Sequence, residues 1–170
     1  VDIDARADRR KQILDGARIC FAQKGFHPTN MLQIAQIAKV SSANIYQYFK
    51  SKEEMIIALI DEDLKSDIEI IKEIASANDL KSGLFSIVEK FSKDDGLFKI
   101  MQLRLEVLAE GLRNEHVAKV LVKSELETID ALAKAIEAAQ NLGEISKNII
   151  PQDAALIILS SADGVLSRLF

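Results

Sequence analysis

Asn44 and Gln47 stand three residues apart in the segment SANIYQYF, residues 42–49, with Ser42 and Ala43 just before them. At that spacing two side chains share one face of a helix. A carboxamide donates and accepts hydrogen bonds at once, and this is the pairing that reads adenine in the major groove of B-DNA. Ile45 and Phe49, four residues apart, take the opposite face and can be buried. Tyr46, Tyr48, Lys50 and Lys52 flank the polar face with hydroxyls and cations suited to phosphate oxygens. The chemistry on offer is the recognition of a duplex.

A reading helix needs a second helix behind it. The preceding residues predict one over 31–39, with Leu32, Ile34, Ala35, Ile37 and Ala38 on its apolar side. Asn30 is its N-cap, and Gln33 three residues on completes a capping box. Val40 anchors the corner as a buried residue, and Ser41 caps the reading helix, predicted over 42–49. Ser51 and Glu54 form a second capping box for the next helix. Lys52 falls in the first turn of that helix, where a cation is disfavoured unless an anion neutralises it; Glu53 and Glu54 are one source and a phosphate another. Helix-turn-helix spacing alone fits DNA reading and plain three-helix packing about equally.

The residue pattern goes further. Lys24-Gly25-Phe26, Ile34-Ala35, Val40-Ser41, Tyr46-Gln47-Tyr48-Phe49 and Lys52-Glu53-Glu54, in that order, make the segment resemble the DNA-binding domain of the tetracycline-repressor (TetR) family of bacterial transcription regulators. The signature covers about a quarter of the chain. By this resemblance Asn30, Ser41, Ser42, Ala43, Asn44, Tyr46, Gln47, Tyr48 and Lys52 make the DNA contacts. Two positions depart from the family pattern, which has glycine where this chain has Lys39 and Ala43. If the turn needs a positive φ at Lys39, the lysine costs about 1 kcal/mol. A methyl at Ala43 presses on the groove or meets a thymine methyl.

The whole chain of 170 residues carries 22 Lys and Arg against 26 Asp and Glu, a net charge of −4, which is the wrong sign for a DNA binder. The charge is unevenly spread. Residues 1–60 hold nine basic and six acidic residues; residues 61–170 hold 13 and 20. A basic first third on an acidic remainder gives a one-sided footprint for nucleic acid, although splits of this size also occur on ordinary surfaces. Cys20 is the single cysteine, read as a small core residue, and it fits a reducing cytoplasm. No 18-residue apolar run or secretory signal is read, so no membrane partner is expected. Two histidines, His27 and His116, with no HExxH or CxxC, offer no metal site, and no glycine-rich nucleotide loop is present. Asp94-Asp95-Gly96 lacks the spacing of a calcium loop. No cofactor and no enzyme activity are expected.

Helical periodicity predicts an all-α fold with a first helix over 8–24, lined by Ile13, Leu14, Ala17, Cys20 and Phe21 and closed by Gly25. Arg6, Arg9, Arg10 and Lys11 crowd its start, a place where a phosphate would help. Further helices follow over about 51–76, 80–91, 97–112, 115–141 (capped by Asn114 and closed by Gly143) and 151–170 (opened by Pro151). The expected organisation is a DNA-binding head over residues 1–50 and a helical effector-binding and dimerisation domain over 51–170. The resemblance implies a repressor that leaves a palindromic operator when a small apolar or amphipathic effector binds among helices four to seven. Phe85, Phe98, Met101, Gln102, Leu105 and His116 are the candidates for that pocket. The last helix is apolar on nearly all sides and must be covered. Family members dimerise through their last two helices, which makes Leu156, Leu159, Ser160, Asp163, Leu166 and Phe170 the candidate dimer face. The chain stops in or just after its eighth helix, so a ninth lies beyond the given sequence or the interface differs. An alternative from another class is a helical interaction module that has kept the head only as a relic.

Overall fold

A computed structural model describes residues 3–93, 97–166 and 168. Among them the elements are α1 (Ile3–Lys24), α2 (Met31–Ile37), α3 (Ser42–Tyr48), α4 (Lys52–Ala75), α5 (Leu80–Ser92), α6 (Leu97–Gly111), α7 (Glu115–Asn141) and α8 (Pro151–Leu166), and no strand is found. The expected all-α class holds. Asp94-Asp95-Gly96 and Phe170, and the side chains of Phe98 and Leu166, lie outside the described residues.

Local chemistry accounts for most of the helix ends. Asn30 accepts from the Gln33 amide at 2.9 Å while the Gln33 side chain accepts from the Asn30 amide at 2.9 Å, the complete capping box. Ser41 accepts from the Asn44 amide at 3.1 Å at the start of α3, and Asp79 from Ser82 at 2.8 Å at the start of α5. Asn114 Oδ1 takes the His116 and Val117 amides at the start of α7. At the head of α4 the box is shifted. Ser51 Oγ accepts from the Glu54 amide, but the Glu54 carboxylate reaches the Lys50 amide rather than that of Ser51.

Helix α1 begins five residues before the expected start at Asp8, because nothing between Ile3 and Asp8 breaks it. The consequence is a correction. Of the four cations expected at its start, Arg6 remains in the first turn, while Arg9, Arg10 and Lys11 stand more than a turn inside the helix, where the field of its N-terminus has fallen away.

The chain divides into two compact units, each assembled from separate stretches: residues 1–61 with 98–121, and residues 62–97 with 122–170. The division differs from the sequence boundary at residue 50. In the first unit Ile13, Leu14, Ala17, Phe21, Ile34, Ile45, Met55, Ile56 and Leu59 are fully or almost fully buried, with Cys20 and Phe49 beside them. Each such large side chain contributes about 1.5–3 kcal/mol by leaving water. Leu103 and Val107 of α6 and Val117 of α7 belong to the same core. Three helices alone do not close it. Two expectations on α2 fail here. Ile34, Ala35 and Ala38 face inward, but Leu32 and Ile37 are about half exposed, because a seven-residue helix turns only a narrow arc to its neighbours. Val40 is half-buried against the core rather than enclosed.

The second unit packs Ile71 and Ile74 of α4, Leu80 and Ile87 of α5, Leu132, Ala133, Ile136 and Ala139 of α7, and Ala155 of α8. Gly83 lets α5 approach the last turn of α4: a Cβ there would lie 2.9 Å from Ile74 Cα. The Glu144 carboxylate caps the Leu80 amide at 3.0 Å, and Gln140 donates to the carbonyls of Ser146 and Ile149, which holds the loop between α7 and α8.

Candidate nucleic-acid interface

Helix α3 presents one buried and one open face. Ile45 is fully buried and Phe49, its C-cap, is 3% exposed, as the four-residue spacing requires. Ser42, Ala43, Tyr46 and Gln47 are exposed, and Asn44 is half-buried. Asn44 Nδ2 donates to Gln47 Oε1 at 3.4 Å, so the two carboxamides lie side by side with donors and acceptors to spare. The face carries no charge of its own. Tyr48 is half-buried and packs against the core, which leaves Tyr46 the more available of the two tyrosines.

Not every expected contact residue is free for DNA. The Lys52 ammonium donates to the carbonyls of Phe26 at 2.5 Å and His27 at 3.1 Å, and lies 4.6 Å from the centre of the Phe26 ring. Burial lowers its pKa, and the Glu110 carboxylate pulls it back up. The expectation that Lys52 answers a phosphate is therefore corrected. Its partners at the helix start are neutral carbonyl oxygens supplied by the turn after α1, which no local reading of residues 51–54 could show. The same turn is held from α6, where Glu106 accepts from the Phe26 amide at 3.0 Å and the nearly buried Glu110 lies 3.2 Å from His27 Nε2. Glu110 Oε2 is within ion-pair reach of that ring but is not aligned for a hydrogen bond. Asn30 and Ser41 spend an oxygen each on capping and keep their remaining polarity exposed.

His116 is also reassigned. Its Nδ1 sits 2.8 Å from Glu53 Oε1, and Asn114 Nδ2 donates to Glu53 Oε2 at 2.9 Å. These bonds, Asn114 first, hold the Glu53 carboxyl below its ordinary range. A group depressed in the folded state stabilises it above the unfolded value near 4.5 and loses that contribution as the pH falls through the folded value. We expect the wild-type chain to lose thermal stability on the acid side more steeply than Glu53→Gln. Melting curves between about pH 3 and 7 check this, and parallel profiles for the two proteins would refute it.

The other pocket candidates scatter. Met101 is buried in the first unit's part of α6, Leu105 is 52% exposed and Gln102 half-buried. Phe85 lines a cavity. That cavity, about 530 Å³, lies in the second unit, between Leu80, Leu84 and Phe85 of α5, Ile136 of α7, and Ala154 and Ile158 of α8. Ile145 and Ile149 close it from the loop, with Asp79, Lys81 and Glu144 as its charged residues. The sequence offered α5 and α7 but missed α8 and the loop, because both touch the cavity only through the fold. On α8, Leu156 and Ser160 are exposed as a dimer face needs, while Leu159 is partly packed into the unit's own core and Asp163 is half-buried. Among the described residues no cluster of three His, Cys, Asp or Glu could hold a metal ion, and no helix is long and apolar enough to cross a membrane. Burial pushes the Cys20 thiol up, as befits a core residue.

Two capped helices at a tight corner, the second with a polar uncharged outer face and a buried inner one, define a helix-turn-helix DNA-binding protein. A model of the family described as bacterial regulatory proteins, tetR family, matches residues 13–59. The HTH-type transcriptional regulator UidR of Escherichia coli (strain K12) is 31% identical over 159 residues, which span 93% of this chain and 80% of that protein. The HTH-type transcriptional repressor Rv1474c of Mycobacterium tuberculosis is 28% identical over 174 residues, 99% of this chain and 86% of its own length. Among solved structures, Salmonella enterica GusR superposes with a TM-score of 0.84 at 33% identity, covering 94% of this chain and 82% of its own. The chain belongs to the TetR family of bacterial transcriptional regulators.

Proposed function

We propose that the chain is a homodimeric, cytoplasmic repressor without enzyme activity, released from a palindromic operator by a small apolar or amphipathic effector. The observation that carries the effector half is the apolar cavity of about 530 Å³ in the second unit, a size and character usual for small-molecule sites. A structural relative of the same fold, FadR from Bacillus subtilis, was solved in complex with stearoyl-CoA, at a TM-score of 0.77 and 24% identity. In this reading residues 1–50 are the DNA-binding part and the rest serves effector and dimer. Asn44 and Gln47 touch bases, while Asn30, Ser41, Ser42, Ala43, Tyr46 and Tyr48 position the head. The dimer is supported by the exposed apolar side chains Leu156, Ile157 and Val165 on α8. It is supported too by the small number of base pairs one short helix can read. Helix α4 supplies Lys52–Asp61 to the first unit and its remainder to the second, a continuous route for coupling effector to DNA.

Selection of bound sites from a random duplex pool should return a palindrome whose half-sites lie about 34–36 Å apart or a multiple of that. Titration of a cavity ligand found by thermal shift, with and without that duplex, tests the coupling. A ligand that weakens DNA binding tenfold must itself bind the DNA complex tenfold more weakly, about 1.4 kcal/mol. Equal ligand affinity in both states would remove the repressor-release mechanism; a selected site without two-fold symmetry would remove the dimer.

A further inference from the structure

The end of α2 places a lysine where the backbone asks for glycine. Ala38 is the C-cap, the Lys39 amide donates to the Gln36 carbonyl at 3.2 Å, and the Val40 amide donates to the Ala35 carbonyl at 2.9 Å. These are the two bonds of a Schellman motif, whose following residue must be left-handed. Lys39 obliges with φ 54°, and it is the sole non-glycine with positive φ among the described residues. The same pair of bonds closes α7, from Gly143 to Gln140 and from Glu144 to Ala139, with Gly143 at φ 81° in the equivalent place. One chain thus uses glycine at one such corner and carries strain at the other.

Nothing in the turn's own structure asks for the lysine side chain. Gln12 Nε2 already donates to the Ala38 carbonyl at 2.5 Å, and Val40 packs against the core. Lys39 is exposed, and its ammonium has no hydrogen bond or ion pair among the described residues. It stands two residues before the N-cap of α3, whose outer face is uncharged. Lys50 follows the other end of α3, just after its C-cap Phe49. With Lys52 occupied by carbonyls, a cation at each end of the reading helix is what the backbone of a duplex calls for.

We infer that Lys39 is a phosphate-binding residue of the head, held in a left-handed turn at the expense of stability. This rests on the DNA-binding reading of α3. The test compares Lys39→Gly, Lys39→Asn and Lys39→Arg in the full chain, by melting temperature and by binding to the selected duplex at several salt concentrations. Glycine and asparagine both tolerate the left-handed turn and lack the charge. Both should weaken binding about threefold or more and reduce the slope of log affinity against log salt by about 0.9. Lys39→Gly should melt higher by about 2 °C. Lys39→Arg should keep wild-type affinity and slope. If the wild-type chain binds and Lys39→Gly and Lys39→Asn bind with its affinity and slope, the phosphate role is overturned and the head's function stands. If Lys39→Gly melts no higher, the claimed stability cost is overturned. If the wild-type chain binds no duplex, the DNA-binding reading itself fails.

Discussion

Gln47→Ala is expected to raise the Kd for the cognate duplex roughly 5- to 150-fold, a cost of about 1–3 kcal/mol, and to relax the base preference at one position of each half-site. Gln47 is exposed and contributes nothing to the core, so melting should be unchanged. The loss then reads recognition and not folding. Because Asn44 Nδ2 already donates to Gln47 Oε1, the two residues are not independent. Asn44→Ala with Gln47→Ala should cost less than the sum of the single changes, since each single change also frees its neighbour. Site selection with the Gln47→Ala protein checks the assignment directly. An unchanged selected sequence would remove Gln47 from the base contacts.

A second large effect is expected in the second unit. Alanine in place of a helical glycine ordinarily stabilises by up to about 1 kcal/mol. At Gly83 the sign should reverse. A Cβ there would enter the Ile74 backbone, with the Cα at 2.9 Å, and a backbone cannot step aside as a side-chain tip can. Helices α5 and α4 would have to separate around Ile71, Ile74, Leu80 and Ile87, which are buried. Gly83→Ala should destabilise by about 1–3 kcal/mol or more, seen as a lower denaturation midpoint. Glycine-like stability in the variant would mean that the close approach is not real.

What could be read from the sequence was local. Asn30 with Gln33, Ser41 and Asn114 lie within three residues of the amides they satisfy, so type and spacing sufficed. The four-residue pair Ile45 and Phe49 told inside from outside on α3 for the same reason. Lys39 could be flagged because the left-handed position follows a helix end directly. What failed was long-range. Lys52 looked like a phosphate ligand until the fold delivered the carbonyls of residues 26 and 27 to it. His116 looked like a polar group for a pocket, but its partner Glu53 is 63 residues away. The cavity needed α8 and a loop, and nothing in the periodicity of α5 or α7 points to either. Leu32 and Ile37 failed for a different reason: apolar type indicates a preference for burial, while a two-turn helix has little surface to bury.

The first unit's core has a consequence for how the protein is made. Leu103, Val107 and Val117 complete it together with helices from the first third of the chain. A polypeptide emerging from the ribosome in order would present α1 to α3 well before those three side chains exist. Through that interval the nascent chain lacks part of the core to which Phe21, Ile45 and Met55 belong. The side chains that complete this core have all emerged by Leu121, before the second stretch of the other unit, residues 122–170, has been synthesised.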